Sequence, residues 1–389
     1  NLNIDQGTTL SIRTLAMDAA DNLYVGGRFR IADENNVTIR INFAKFNPDE
    51  SLADLNLSLS TLAFINELKF DSGGNLYIGG NFSSILGVSR GRLAKLDATG
   101  ALTDFNPNIN SQVTSLAFDA NENLYVGGRF TTVGGSTTRN RLAKFDSTGA
   151  LTNFNPDLDD FVFDLEFDSQ GNLYVGGQFT TVGGNARNRL AKFDNTGALT
   201  SFNPGFSSPS SLAINAIVLD VNDNLYAGGD FTSVGAVSQN HIAKFDNTGN
   251  LESFNPNFTN PVSALTLDAT GNLYVGVGAA ERLAIYEFCT TLPSIVSTTA
   301  GSVVAQGTVN LQAVASTQAT VTWYDAPTDG NLLFTGNTFT TPMITSTTTY
   351  YAEASKGSCQ STQRTAVVAS VVPPAIPTAT TPQIYAGNG

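Results

Sequence analysis

The chain has 389 residues, of which 41% are hydrophobic and only 14% charged, with 36 glycines, one histidine and two cysteines. That length accommodates two or three domains with proper cores. A net charge of -13 and a pI near 4.4 exclude a basic nucleic-acid face and disfavour anionic lipid. No run of about 18 apolar residues exists to span a membrane as a helix.

The chain opens inside a repeat and carries no signal peptide, so it is expected to be a mature or trimmed product. The triplet Asn-Leu-Tyr recurs six times, at Asn22, Asn75, Asn123, Asn172, Asn224 and Asn272. The spacings of 53, 48, 49, 52 and 48 residues suit one propeller blade per repeat. In the third copy, alternation predicts a strand over 113–118, a turn over 119–123 and a second strand over 124–130 carrying Gly127-Gly128. A loop over 131–140 and a third strand over 141–145 follow. Asp146-Ser147-Thr148-Gly149 reads as a hairpin turn with glycine at the positive-φ position, and 150–154 as a fourth strand. Four short antiparallel strands make a blade.

The last repeat keeps strands at 273–275 and 282–286 but has no fourth strand before Cys289. Residues 1–4, Asn-Leu-Asn-Ile, match the fourth-strand ends at 153–156 and 253–256. They are expected to complete the last blade and close a ring of six, removing exposed sheet edges. The pattern Asn-Leu-Tyr-Val-Gly-Gly-x-Phe followed by Arg-Leu-Ala-Lys-Phe-Asp-x-Thr-Gly-Ala-Leu resembles the tandem propeller repeats of large secreted bacterial proteins. The resemblance covers 1–288 and implies no fixed activity.

From Leu292 the period is lost and Thr, Ser and Val dominate. Strands are expected at 308–315, 320–324, 338–341, 348–354 and 364–371, an immunoglobulin-like β-sandwich over 289–372 with Trp323 in its core. The stretch from Val321 to Gly330, with Phe339-Thr-Thr-Pro342 and Thr347-Thr-Thr-Tyr-Tyr351, resembles the immunoglobulin-like repeats of Bacteroidota surface proteins. That resemblance implies a long exported chain, often cargo of type IX secretion. Residues 373–389 form a Pro/Thr-rich linker or the start of another repeat, since Thr381-Pro-Gln-Ile-Tyr385 looks like an opening. On this reading Asp146-Ser147-Thr148 is similar to the phylum's O-glycosylation sequence, with Ser147 as acceptor.

The two cysteines, Cys289 and Cys359, fall at places that share one end of an immunoglobulin-like topology, so a disulfide is expected. Two Cys and one distant His do not make a zinc site. His241 replaces the arginine of the other repeats, Arg92, Arg141, Arg189 and Arg282, and reads as a solvated strand start. The recurring lysines at 45, 95, 144, 192 and 244 read as paired with a local acid such as Asp97 or Asp146, or as exposed on the sheet face, rather than as a ring of cations for an anion. The recurring Asp before each Asn-Leu-Tyr, for example Asp220, reads as a turn cap rather than a calcium ligand. The paired glycines lie inside strands and are not phosphate loops. No catalytic residue, metal or cofactor is expected.

Function is expected where repeats differ. Asp33, Glu34, Asn35 and Asn36 lie in an insertion of the first repeat; Asp159, Asp160 and Phe161 break the pattern between the third and fourth; Ser207, Ser208 and Ser210 lie in a long Ser-rich link. The sequence points to a non-enzymatic module, extracellular or at the cell surface. Its partners would be a surface glycan, a protein, or copies of itself. A subunit of an extracellular fibre is the alternative. A polysaccharide-active enzyme using Asp33, Glu34, Asp159 and Asp160 is the third reading.

Overall fold

The structure is a computed structural model describing residues 3–5, 11–32, 38–208, 212–278, 282–286, 292–356 and 359–376. The chain is all-β and divides into two compact units, one of Asn1–Asp268 with Tyr274–Ile285, the other of Ala269–Leu273 with Tyr286–Gly389. In the first unit each repeat builds one antiparallel sheet whose middle strand carries Asn-Leu-Tyr. Leu124–Gly128, for example, lies between Val113–Phe118 and Leu142–Phe145. Successive repeats share cores: Tyr77 and Leu93 of the second pack with Val113, Leu116, Val126 and Phe130 of the third.

The repeats are propeller-like, with first strands side by side: Ser11–Met17, Phe64–Phe70, Val113–Phe118, Val162–Phe167, Ile214–Leu219 and Val262–Leu267. The glycines position them. A Cβ on Gly79, Gly127, Gly176 or Gly228 would lie 2.3–2.9 Å from a Val or Ile of the following repeat's first strand. The absent side chain is the notch that seats the next blade.

Three expectations change. In each of the first five repeats the fourth strand is reduced to one bridge, such as Phe145↔Leu151 or Phe193↔Leu199. After that bridge the chain turns Phe154 edge-on to Tyr125 and Phe193, so core burial replaces strand pairing. The expected strand at 141–145 begins at Leu142, because Arg141 sits at φ 68° and breaks the extended backbone. Finally, Asn3–Asp5 does not complete the last blade; it pairs with Arg30–Ala32 of the first repeat. A partner a few tens of residues away costs less loop-closure entropy than one in the last repeat. The sixth sheet has three strands: Val262–Leu267, Leu273–Val277 and Arg282–Tyr286.

The second unit is a β-sandwich. One sheet holds Ile295–Thr299, Asn310–Ala315 and Thr338–Thr340; the other is six-stranded and includes Thr320–Tyr324, Thr348–Lys356 and Thr365–Val372. Trp323 is fully buried, stacks on Phe339 at 5.5 Å and donates its indole N–H to the Gly336 carbonyl at 2.9 Å. Cys359 is disulfide-bonded. Cys289 lies outside the described residues.

Candidate functional site

The recurring polar residues turn out to build the blades. Asp119 accepts hydrogen bonds from the Asn121 and Asn123 backbone and from the Asn123 amide, closing the turn. Its other oxygen meets Lys144 at 3.2 Å, and that ammonium lies 4.7 Å over the Tyr125 ring. Asp71 with Lys95 and Asp168 with Lys192 repeat the arrangement. For four of the five lysines the partner is thus the turn-capping aspartate, not Asp97 or Asp146, which cap the later Thr-Gly turns; Lys244 meets Glu252 at 2.7 Å instead. Burial opposes the charge on Lys144, but contact with Tyr125 and Asp119 raises its pKa above the ordinary lysine value. The arginine/histidine position is not a solvated strand start either. Arg92, Arg141, Arg189 and His241 hold positive φ and bond carbonyls of their own repeat, a folded-in clasp.

The candidate binding residues scatter. Asp33, Glu34, Asn35, Asn36 and Ser210 lie outside the described residues. Asp159 accepts bonds from the Thr180 and Thr181 backbone and the Thr180 hydroxyl, and Asp160 from the Phe161 backbone. The Ser207 and Ser233 hydroxyls meet at 2.6 Å across a short strand pair. Ser208 follows that pair. Ser147 is exposed and lines a cavity of about 480 Å³ beside Tyr77 and Phe105. Phe161 is the exception, because it joins a cluster the loops alone do not suggest.

That cluster starts from a β-bulge. The pairing of first and middle strands slips by one residue in each of the first five repeats, leaving Arg13, Asn66, Thr114, Phe163 and Asn215 unpaired. A bulge re-aims its side chain. Here four of the five reach the following repeat. Arg13 donates to Asn66, Asn66 to the Val113 carbonyl, Thr114 to the Val162 carbonyl and Asn215 to the Val262 carbonyl. At the same end stand the residues after the paired glycines: Arg28, Asn81, Arg129, Gln178 and Asp230.

The Arg129 guanidinium lies 4.3 Å over Phe161 and 5.7 Å over Phe163; Arg13 lies 4.3 Å over Phe64. Arg141 also approaches Phe161, at 5.1 Å. Burial, then the Arg28 and Arg129 charges, lower the Arg13 pKa.

One residue further along the strands the charge reverses. Asp164 accepts from Ile217 N–H at 2.8 Å, Leu165 N–H at 2.9 Å and the Ser115 hydroxyl at 3.2 Å, tying three repeats together. Burial nonetheless pushes its pKa up to about 6. Glu67, its counterpart two repeats earlier, is pushed up to about 8 by burial and then by Asp164. Glu166 is pushed up to about 7 by burial and then by Asp164, with Lys69 as the nearby cation opposing both glutamate shifts. Among the described residues no group of three or more His, Cys, Asp or Glu is placed to hold a metal ion. Sequence reasoning missed this axial set because it searched the loops for irregularity. The signal lay inside the strands, where Gly-Gly-x-Phe varies only at x, as Arg, Asn, Arg, Gln and Asp.

Four repeats, at residues 74–102, 123–151, 170–199 and 222–254, match the domain of unknown function DUF5122 beta-propeller, and residues 291–373 match the CHU_C-associated Ig-like domain. The chain joins DUF5122 propeller repeats to a CHU_C-associated Ig-like domain. Both resemblances read from the sequence are therefore correct. No curated protein matches it. Among solved structures it is similar to PorZ, an essential bacterial surface component of the type IX secretion system of Porphyromonas gingivalis, at 14% identity and a TM-score of 0.48. The alignment covers 93% of this chain and 52% of that one, so the chain spans about half of PorZ. It is also similar to a catalytically inactive virginiamycin B lyase from Staphylococcus aureus, at 12% identity and a TM-score of 0.48, over 80% of this chain and 96% of the lyase.

Proposed function

We propose that this chain is a non-enzymatic binding module of the bacterial cell surface, part of a longer exported protein. The observation that carries the reading is the joining of DUF5122 propeller repeats to a CHU_C-associated Ig-like domain in one chain. The repeated polar groups support it, because they are engaged in blade construction: Asp119 and Asp168 cap turns, and Asp159 caps the Thr180 loop. A glycan array probed with the full chain tests it, together with a reducing-end assay on the polysaccharides it binds. Specific retention without turnover is expected; release of reducing ends from a bound polysaccharide overturns the non-enzymatic reading.

The same proposal includes a closed ring of six blades. Two unfilled surfaces favour it. Ile12 is 52% exposed, whereas its counterparts Ile65, Val113, Val162, Ile214 and Val262 are 0% exposed. Gly276 occupies the notch position, yet a Cβ there would meet only its own sheet's Ala264, at 3.2 Å. Closure seats Ile12 beside Gly276. Burying an isoleucine contributes roughly 2–5 kcal/mol as judged by truncation to alanine. Ile12→Ala should therefore destabilise the propeller about as much as Ile65→Ala in urea. A loss below about 0.5 kcal/mol, the size of a surface change, is the outcome that rejects the closed ring.

A further inference from the structure

Resting on the surface-binding reading, we propose that the end of the inner strands bearing Arg13, Arg28 and Arg129 binds the carboxylate or sulfate groups of an acidic polysaccharide. In a chain of net charge -13 these guanidiniums have no carboxylate partner among the described residues. Arg13 donates only to neutral acceptors, the Ser11 hydroxyl and the Asn66 carbonyl. Arg28 and Arg129 make no side-chain hydrogen bond in the described structure. The guanidinium carbons of Arg13 and Arg129 instead lie over the rings of Phe64 and Phe161, each 4.3 Å from the centroid. A guanidinium over a ring face leaves in-plane N–H groups to donate, here Nη2 of Arg13 and the two Nη groups of Arg129, donors suited to a carboxylate or sulfate oxygen.

The patch is created by the fold. The bulge turns Arg13 out of its sheet, Arg28 pairs with Ser11, whose hydroxyl accepts from Arg13, and Arg129 follows the paired glycines two repeats on. The net negative charge does not cancel it, since screening at physiological salt limits exposed charges to about 8 Å. The positions around it favour a hydroxyl-rich ligand. Asn81 and Gln178 occupy the same place in the second and fourth repeats, with amides suited to sugar hydroxyls. Asp230, in the fifth, is engaged by the Asn215 amide at 3.3 Å.

An acidic peptide is the poorer fit. An extended peptide binds by pairing with a strand edge. Those edges are already taken: Val113, Val162 and Val262 carbonyls by Asn66, Thr114 and Asn215, and Leu68, Leu165 and Ile217 N–H groups by Thr14, Ser115 and Asp164.

The test uses the full chain and its R28Q/R129Q variant. Glutamine already stands at this position as Gln178, so the exchange fits the blade; far-UV circular dichroism checks folding. Probes are polygalacturonate, dextran sulfate, neutral dextran and polyglutamate, titrated at low and physiological salt. Polygalacturonate and dextran sulfate are expected to bind, with at least a tenfold loss in R28Q/R129Q and none in K356Q, a surface charge change in the other unit. Absence of polyanion binding, or equal binding by R28Q/R129Q, overturns the site. Polyglutamate bound as tightly and lost as fully overturns the polysaccharide assignment. A neutral glycan bound equally by both proteins overturns this site while leaving the surface-binding reading in place.

Discussion

Glu67 gives the sharpest test of the axial acids. Its pKa rises from 4.5 to about 8, chiefly through burial. Between those two pH values the folded chain holds a proton there that the unfolded chain releases, so stability falls as pH rises through that window. The full shift corresponds to roughly 5 kcal/mol at 1.36 kcal/mol per pH unit. Glu67 is only partly shielded from water and Lys69 opposes the shift. A working figure is therefore about 2–3 kcal/mol. Glu67→Gln removes the charge while conserving size, and no turn or cap among the described residues depends on the carboxylate. The variant should be about 2–3 kcal/mol more stable than the parent at pH 8.5 and nearly equal to it at pH 5. Urea unfolding followed by far-UV circular dichroism measures this. The one tryptophan, Trp323, lies in the other unit and serves as an internal reference that should not move. No gain at pH 8.5, or the same gain at pH 5, would refute the reasoning.

Three further outcomes are expected. Gly228→Ala places a Cβ 2.3 Å from Val262 and should destabilise the propeller by roughly 1–3 kcal/mol, read from its urea midpoint. Trp323→Ala empties the centre of the sandwich and should cost that unit about 3–5 kcal/mol in thermal unfolding, leaving the propeller transition in place. Peptide mapping without reductant should recover a Cys289–Cys359 cross-link. Its reduction should lower the melting temperature of the C-terminal unit, since a closed loop of this length constrains the unfolded chain by roughly 4 kcal/mol.

Much of the fold was legible because the blade is a local object. Asp and Asn-Leu-Tyr act within one repeat in all six copies, and the Thr-Gly turn in four of them, so most of the instructions for a blade lie within its own repeat. The sandwich was legible for a similar reason: alternation placed Thr320–Tyr324 and Thr348–Lys356 close to where they fall, and Trp323 in the core. The reading failed where a residue had a choice of partners. The segment 150–154 makes one bridge at Leu151 and then turns Phe154 into an aromatic cluster, and Asn3–Asp5 takes a nearby edge rather than a distant one. Pattern alone does not rank such alternatives.

The candidate site shows the same division. The sequence by itself determined the repeat, the two domain types and the acidic surface, since each follows from residue type and short-range spacing. Only the tertiary structure decided which side chains leave their own blade. Arg13 and Arg129 are far apart along the chain, and each reads as one more polar residue in a strand. Bulges and notches, which exist only once neighbouring blades pack, turn Arg13 toward Asn66 of the next blade and set Glu67 near Asp164. Burial and proximity are properties of the assembled sheets, and the chemistry of this chain depends on both.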